Sequence, residues 1–297
     1  MTDKLLFNLH KNRELAESLV ETLGIRAGAL DARHFPDGES YFRVLDNVAG
    51  REVVLLVNLH QPDRHALNAM LLADTLRDLG ATSVIMLAPY LPYMRQDKRF
   101  RPGEGVTSRY FAQMLSEHVD GLITLDPHLH RYAGLDEIYT VPTRVVHAAE
   151  CVADWIAENI EEPILIGPDA ESEQWVSAVA NRARAPFTVL SKIRHGDRDV
   201  EVSVPDIEHW RCHTPVLVDD IISSGRTMLE TLQHLENMGL KRAVCIGVHA
   251  VFSGTAASQL AGVASRVVTS NSIPHATNAI DVSRLLADSL GAVMKVD

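Results

Sequence analysis

The segment Val216-Leu-Val-Asp-Asp-Ile-Ile-Ser-Ser-Gly-Arg-Thr227 holds the densest chemistry in the chain. An apolar run ends in two carboxylates, Asp219 and Asp220, and a short Ser/Gly stretch follows. Carboxylates at the end of a strand accept hydrogen bonds from a sugar diol, directly or through Mg²⁺. A loop that leads into a helix N-terminus offers unpaired backbone N–H groups and the positive end of a dipole, and both suit a phosphate. Small residues let the backbone approach the anion, and Ser224 and Thr227 add hydroxyl donors. The bland alternative is a plain strand, turn and helix with an aspartate cap; paired carboxylates ahead of this loop weigh against it. Neither GxxxxGK[ST] nor GxGxxG occurs, so the usual nucleotide motifs are absent.

Four other groups of residues are less specific alone. Arg95, Lys98, Arg99 and Arg101 fall within seven positions, followed by Gly103 and Gly105. That run reads either as a basic lid over polyphosphate or as a solvated loop. Arg95 has the chemistry to stack on an adenine or pair with a phosphate. Phe35-Pro-Asp-Gly-Glu39 is by itself a strong β-turn sequence. Thr124-Leu-Asp-Pro-His-Leu-His130 sets His128 two residues from His130, but no third and fourth zinc ligand stands beside them with convincing spacing. Lys192 and Arg194 in Leu190-Ser-Lys-Ile-Arg194 read, taken alone, as surface charge.

The elements that must position these residues are legible. Val53–Val57, Val84–Leu87, Leu122–Leu125, Ile164–Ile166, Val216–Val218 and Ala243–Val248 are nearly continuous apolar runs. Such runs fit strands of a parallel sheet buried on both faces. Between them, Leu15, Leu19 and Leu23 end at Gly24, Leu72, Leu76 and Leu79 end at Gly80, and Leu229 to Met238 ends at Gly239, each a helix with its stop. Helices alternating with strands give an α/β class. The shared rhythm of the two halves predicts two similar α/β domains, residues 1–146 and 147–297.

Taken together, these segments resemble the ribose-phosphate pyrophosphokinase (PRPP synthetase) family. The Val216–Thr227 loop is similar to the PRPP-binding loop shared with phosphoribosyltransferases. Ala88-Pro-Tyr-Leu-Pro-Tyr-Met-Arg-Gln-Asp-Lys-Arg99 resembles a family segment almost position for position. The resemblance implies two phosphoribosyltransferase-like domains and an Mg²⁺-dependent transfer of the diphosphoryl group of ATP to ribose 5-phosphate. It implies ATP contacts from Phe35, Asp37 and Glu39, reaching from a neighbouring subunit, and from Arg95, Gln96, Asp97, Arg99 and His128. Asp219, Asp220, Ser223, Ser224, Gly225, Arg226 and Thr227 would hold ribose 5-phosphate. His128 and Asp169 would place Mg²⁺, and Lys192, Arg194 and His128 would be catalytic. It also implies a homo-oligomer, a dimer or a hexamer of dimers. The alternatives are a non-catalytic regulatory paralogue and a phosphoribosyltransferase that consumes PRPP.

The sequence departs from the family after Asp169, where Ala170-Glu-Ser-Glu-Gln-Trp175 replaces a His-Gly-Gly run, and at Ser223 and Arg226. If position 226 requires positive φ, arginine is costly there; if not, it adds a cation beside the sugar phosphate. A net charge of −11 argues against broad nucleic-acid or anionic-membrane binding. The three cysteines, Cys151, Cys212 and Cys245, form no disulfide framework or zinc ribbon and suit a reducing cytoplasm. The N-terminus lacks a secretory pattern, and no apolar run has the length of a membrane span.

Overall fold

The computed structural model describes residues 4–9, 12–168, 172–194, 200–203 and 207–294; for residues 191–194, 200–203, 207, 208 and 294 the description covers the backbone alone. The chain divides into two compact units, Met1–Val146 with Ser283–Asp297, and His147–Val282.

The first unit runs β1 (Leu5–Asn8), α1 (Arg13–Leu23), β2 (Arg26–Ala27), β3 (Leu30–His34), β4 (Ser40–Val44), β5 (Glu52–Leu56), α2 (Pro62–Asp78), β6 (Ser83–Leu87), α3 (Thr107–Ser116), β7 (Gly121–Leu125) and β8 (Thr143–Val146). Its main sheet has the order β2-β1-β5-β6-β7-β8. Every pairing in it is parallel, with Leu5 opposite Val53 and Val53 opposite Val84. Strands β3 and β4 form a separate antiparallel hairpin. The strands are apolar on both faces because helices cover both: Val53, Val54 and Leu55 are fully buried. Each such side chain contributes about 1.5–3 kcal/mol through burial.

The second unit runs α4 (Ala149–Asn159), β9 (Pro163–Gly167), α5 (Glu173–Ala183), β10 (Phe187–Val189), β11 (Ser191–Arg194), β12 (Val200–Ser203), β13 (Thr214–Ile222), α6 (Arg226–Asn237), β14 (Val244–Ala250), α7 (Ala256–Val263), β15 (Arg266–Ser270) and β16 (Asn278–Ile280). Its main sheet, β10-β9-β13-β14-β15-β16, is also parallel throughout. An antiparallel hairpin, β11–β12, again follows the second strand. The two units therefore share one topology, with strand for strand in the same order and a hairpin inserted at the same point.

The last helix, α8 (Ser283–Met294), belongs to the first unit rather than to the second half that precedes it. It packs on α1, with Leu286, Ala287 and Leu290 buried. The periodicity of these residues identifies an amphipathic helix, but not which of two cores it covers.

In each sheet the first strand is flanked on one side by the second and on the other by the third. This is a topological switch point, and in open α/β sheets ligands bind outside the carboxyl ends of strands at such a point. In the second unit it lies between β9 and β13. Strand β13 pairs with β9 only from Thr214 to Leu217, yet continues beside β14 to Ile222. Asp219 to Ile222 thus project past the last rung shared with β9.

Candidate active site

The projecting end of β13 leads into a loop of only three residues, Ser223, Ser224 and Gly225, before α6 begins at Arg226. Asp219 and Asp220 are half-buried, and the Asp220 N–H donates to Asp219 Oδ1 at 3.0 Å. Gly225 is the N-cap of α6, with φ 65° and ψ 1°. This left-handed conformation disfavours any residue with a Cβ. Space is tight as well: a Cβ on Gly225 would lie 3.0 Å from Leu260 Cδ1, which would have to give way. The positive φ therefore falls on Gly225, while Arg226 takes ordinary helical geometry. Arginine at 226 carries no backbone penalty. Its side chain is exposed, and its guanidinium bonds to no other described residue.

The first four N–H groups of a helix lack intrahelical acceptors. Here they open onto a loop of small residues, with an arginine and the Thr227 hydroxyl in the first turn. Neighbouring loops fix that turn: Ser253 N–H donates to Ser223 O at 3.2 Å, and the Arg226 N–H to Ser224 Oγ at 3.4 Å. Gly247 of β14 leaves room for Ile222, whose Cγ1 would lie 2.5 Å from an added Cβ. Carboxylates at a strand end have the chemistry to accept from a diol, and free helix N–H groups beyond a three-residue loop have the chemistry to take an anion.

The first unit has the same backbone at the same place with the opposite chemistry. Helix α2 also opens on a left-handed N-cap, Gln61 at φ 56°. Pro62 then removes an N–H, and Asp63 puts a carboxylate in the first turn. That loop disfavours a phosphate. The polar residues of this unit gather instead after β6 and β7.

After β6, Arg95 is exposed and bonds to no other described residue. Gln96 accepts from Thr107 Oγ1 at 2.9 Å through its side chain and from Ser108 Oγ at 3.1 Å through its carbonyl. Asp97 is 7% exposed; its two oxygens accept from Arg131 Nη1 at 3.0 and 2.9 Å. The basic run that follows is folded around Glu104. Its carboxylate accepts from the N–H groups of Phe100 and Arg101 at 2.7 and 2.9 Å, and its carbonyl from Arg99 Nε at 3.0 Å. After β7, His128 is partly exposed and Asp126 buried, with the His128 N–H donating to Asp126 O at 2.9 Å. The rings of His128 and His130 meet edge to face at 4.0 Å.

Backbone strain marks the same loops. Gln61, Tyr93, Asp126 and His128 all have positive φ without being glycine, at 56°, 63°, 34° and 50°. They follow the carboxyl ends of β5, β6 and β7. Such strain persists only where surroundings enforce it, and it concentrates at functional sites. Of the four, only His128 is marked as a site residue by the sequence; Gln61, Tyr93 and Asp126 are not, nor are Arg131 and Tyr132 nearby. Backbone sign is not written in a residue type, although aspartate and histidine adopt positive φ more readily than tyrosine.

Tyr93 is held by its hydroxyl, which donates to Asp63 Oδ1. Burial, and then the bond to Asp63, push its phenol from 10.0 up to about 12. The folded chain keeps this proton after the unfolded chain has released it. The contribution is whole below pH 10 and fades as pH rises towards about 12. We therefore expect the difference in urea midpoint between wild type and Tyr93→Phe to shrink across that window. A difference that stays constant there would show that folding does not raise the Tyr93 phenol.

Phe35-Pro-Asp-Gly-Glu39 forms the turn that closes the β3–β4 hairpin, with Gly38 at φ 96° and its N–H donating to Phe35 O at 2.9 Å. Asp37 and Glu39 are exposed, and Phe35 is 41% exposed. Arg33 lies over Tyr41 at 4.2 Å and near Phe35 at 5.5 Å. Lys192 and Arg194 sit on β11, opposite Val202 and Val200 of β12. Asp169 lies outside the described residues.

Both units match families of known proteins. Residues 134–283 match the family described as the phosphoribosyl transferase domain, and residues 4–118 the N-terminal domain of ribose phosphate pyrophosphokinase. The solved structure of phosphoribosylpyrophosphate synthetase from Mycobacterium smegmatis has a TM-score of 0.87 at 24% identity, over 99% of this chain and 100% of that one, which establishes the shared fold. Fold and matched domains thus define the class as phosphoribosyl transferase-like. The chain is similar to the ribose-phosphate pyrophosphokinase of Saccharolobus solfataricus, 30% identical over 92% of this chain and 96% of the relative. It is 31% identical to that of Methanopyrus kandleri, over 93% and 95%. The chain belongs to the ribose-phosphate pyrophosphokinase family. Among the described residues, no helix is long and apolar enough to cross a membrane.

Proposed function

We propose that this chain transfers the diphosphoryl group of MgATP to O1 of ribose 5-phosphate, giving phosphoribosyl pyrophosphate and AMP. The observation that carries the reading is the end of β13: two carboxylates at the switch point, then Gly225 opening α6, whose free N–H groups suit an anion. Family membership supplies the nucleotide. Asp219 and Asp220 hold the ribose hydroxyls; Ser223, Ser224, Gly225, Arg226 and Thr227 hold the 5-phosphate. Arg95, Gln96, Asp97, Arg99 and His128 form the nucleotide side. Phe35, Asp37 and Glu39, on an exposed turn, serve the site of a second copy in a homo-oligomer.

The anomeric oxygen attacks the β-phosphorus in line. The bond from that phosphorus to the α,β-bridging oxygen breaks, AMP leaves with the bridging oxygen, and the hydroxyl proton passes to water. Such transfers rest mainly on positioning and charge neutralisation. Lys192 and Arg194 supply cations to the moving group. Mg²⁺ takes oxygen ligands and commonly leans on one or two carboxylates plus substrate phosphates. The half-buried pair Asp219 and Asp220 fits that preference, and His128 and Asp169 are further holders. When bound, the ion neutralises polyphosphate charge. The free cysteines accord with a cytoplasmic setting.

Incubation with ATP and ribose 5-phosphate is expected to yield AMP, and chelation of Mg²⁺ to abolish it. A chain that binds ATP yet forms no AMP with any pentose phosphate would overturn the assignment in favour of a non-catalytic paralogue.

A further inference from the structure

Resting on that reading, we infer that Arg131 is a positioning residue, and that Asp97 acts on the nucleotide site through Arg131 rather than by touching nucleotide. Asp97 has no free face to offer. Its side chain is 3% exposed, and both carboxylate oxygens are taken up by Arg131 Nη1 at 3.0 and 2.9 Å. The backbone is clamped at the same place. The Tyr132 hydroxyl donates to Asp97 O at 3.2 Å and lies 3.0 Å from Ser108 Oγ. Ser108 Oγ in turn donates to Gln96 O at 3.1 Å.

These bonds join the loop after β6 to the loop after β7, across residues 34 and 35 positions apart in sequence. Arg95 lies two residues before Asp97, and His128 three before Arg131. One pair, a buried carboxylate and a part-exposed guanidinium, thereby sets the separation of the exposed Arg95 from the strained His128, two groups assigned to the nucleotide. A buried carboxylate that loses its cation is left uncompensated, and the loop must rearrange to expose it. Both bonds come from one nitrogen, so the compact ammonium of a lysine has the chemistry to replace the guanidinium here.

The test measures MgATP affinity by calorimetry together with kcat and both KM values. Asp97→Asn and Arg131→Gln are each expected to weaken MgATP binding about tenfold, the loss of one charge-assisted contact. KM for ribose 5-phosphate should stay within about twofold. The double variant should be no worse than the weaker single one, because a coupled pair is lost only once. Arg131→Lys should restore wild-type binding. Tyr132→Phe, which keeps the ring, should weaken MgATP in the same sense and serves if a charge variant fails to fold. Unaltered MgATP affinity in Arg131→Gln and Tyr132→Phe would overturn the inference. So would single effects that multiply in the double variant, since Asp97 would then act on the nucleotide independently. A wild-type chain that binds MgATP but forms no AMP would overturn the proposed function alone, leaving this coupling measurable by calorimetry.

Discussion

Lys192→Ala is expected to lower kcat by about two to three orders of magnitude, the range for removing one preorganised charge stabiliser, with only a modest change in MgATP affinity. The diphosphoryl group gains its charge separation as it leaves AMP. A cation that meets this charge only in transit acts on kcat and not on ground-state binding. Lys192 lies on β11 in an antiparallel hairpin paired with β12, outside the main sheet of its unit. The hairpin follows the second strand, as β3–β4 does in the first unit. Arg194 is two residues further along the same strand, and its removal should act in the same direction. Rapid-quench measurement of AMP formation at saturating substrates separates the two effects. Turnover equal to wild type would remove Lys192 from the mechanism, and a loss confined to KM would recast it as a ground-state contact.

Gly225→Ala should raise KM for ribose 5-phosphate at least about tenfold and lower the melting temperature. Two penalties combine. A Cβ at φ 65° costs about 1–2 kcal/mol in the left-handed region. The added carbon also meets Leu260 Cδ1 at 3.0 Å and Cγ at 3.4 Å, so either Leu260 or the first turn of α6 must shift. Gly225→Asn tolerates the backbone better but still crowds Leu260. Adding Leu260→Ala to Gly225→Ala relieves the crowding and leaves the strain. The predicted order of recovery therefore reports which penalty dominates. Ribose 5-phosphate kinetics unchanged by Gly225→Ala would show that the α6 N-terminus does not hold the sugar phosphate.

The strands were legible because a sheet buried on both faces must be written in unbroken apolar runs. Val84–Leu87 and Val216–Val218 each fall on a strand, and Val53–Val57 overruns the end of β5 by one residue. Helix ends were legible where glycine supplies a left-handed stop, as at Gly24 with φ 60°. The Asp219–Thr227 segment was legible as a strand end, a short loop and a helix start, because an apolar run stops at two carboxylates and Ser223–Gly225 interrupt the chain before the helix. Pairings across long sequence separations were not. Nothing in Asp97 or Arg131 names the other, so the burial of Asp97 within the Arg95–Arg101 run was not legible. The sign of φ at Tyr93 and Asp126 was equally hidden, since tertiary contacts impose it. Hidden too was the destination of residues 283–297, which return to the first unit where the sequence had placed them with the second domain.

That destination has a consequence for how the molecule is made. Because α8 packs on α1, the first unit cannot close until residues 283–294 have left the ribosome, long after its own sheet is complete. During translation the apolar seat for α8 stays uncovered while the whole second unit emerges, which makes the nascent amino-terminal half a natural client for chaperones.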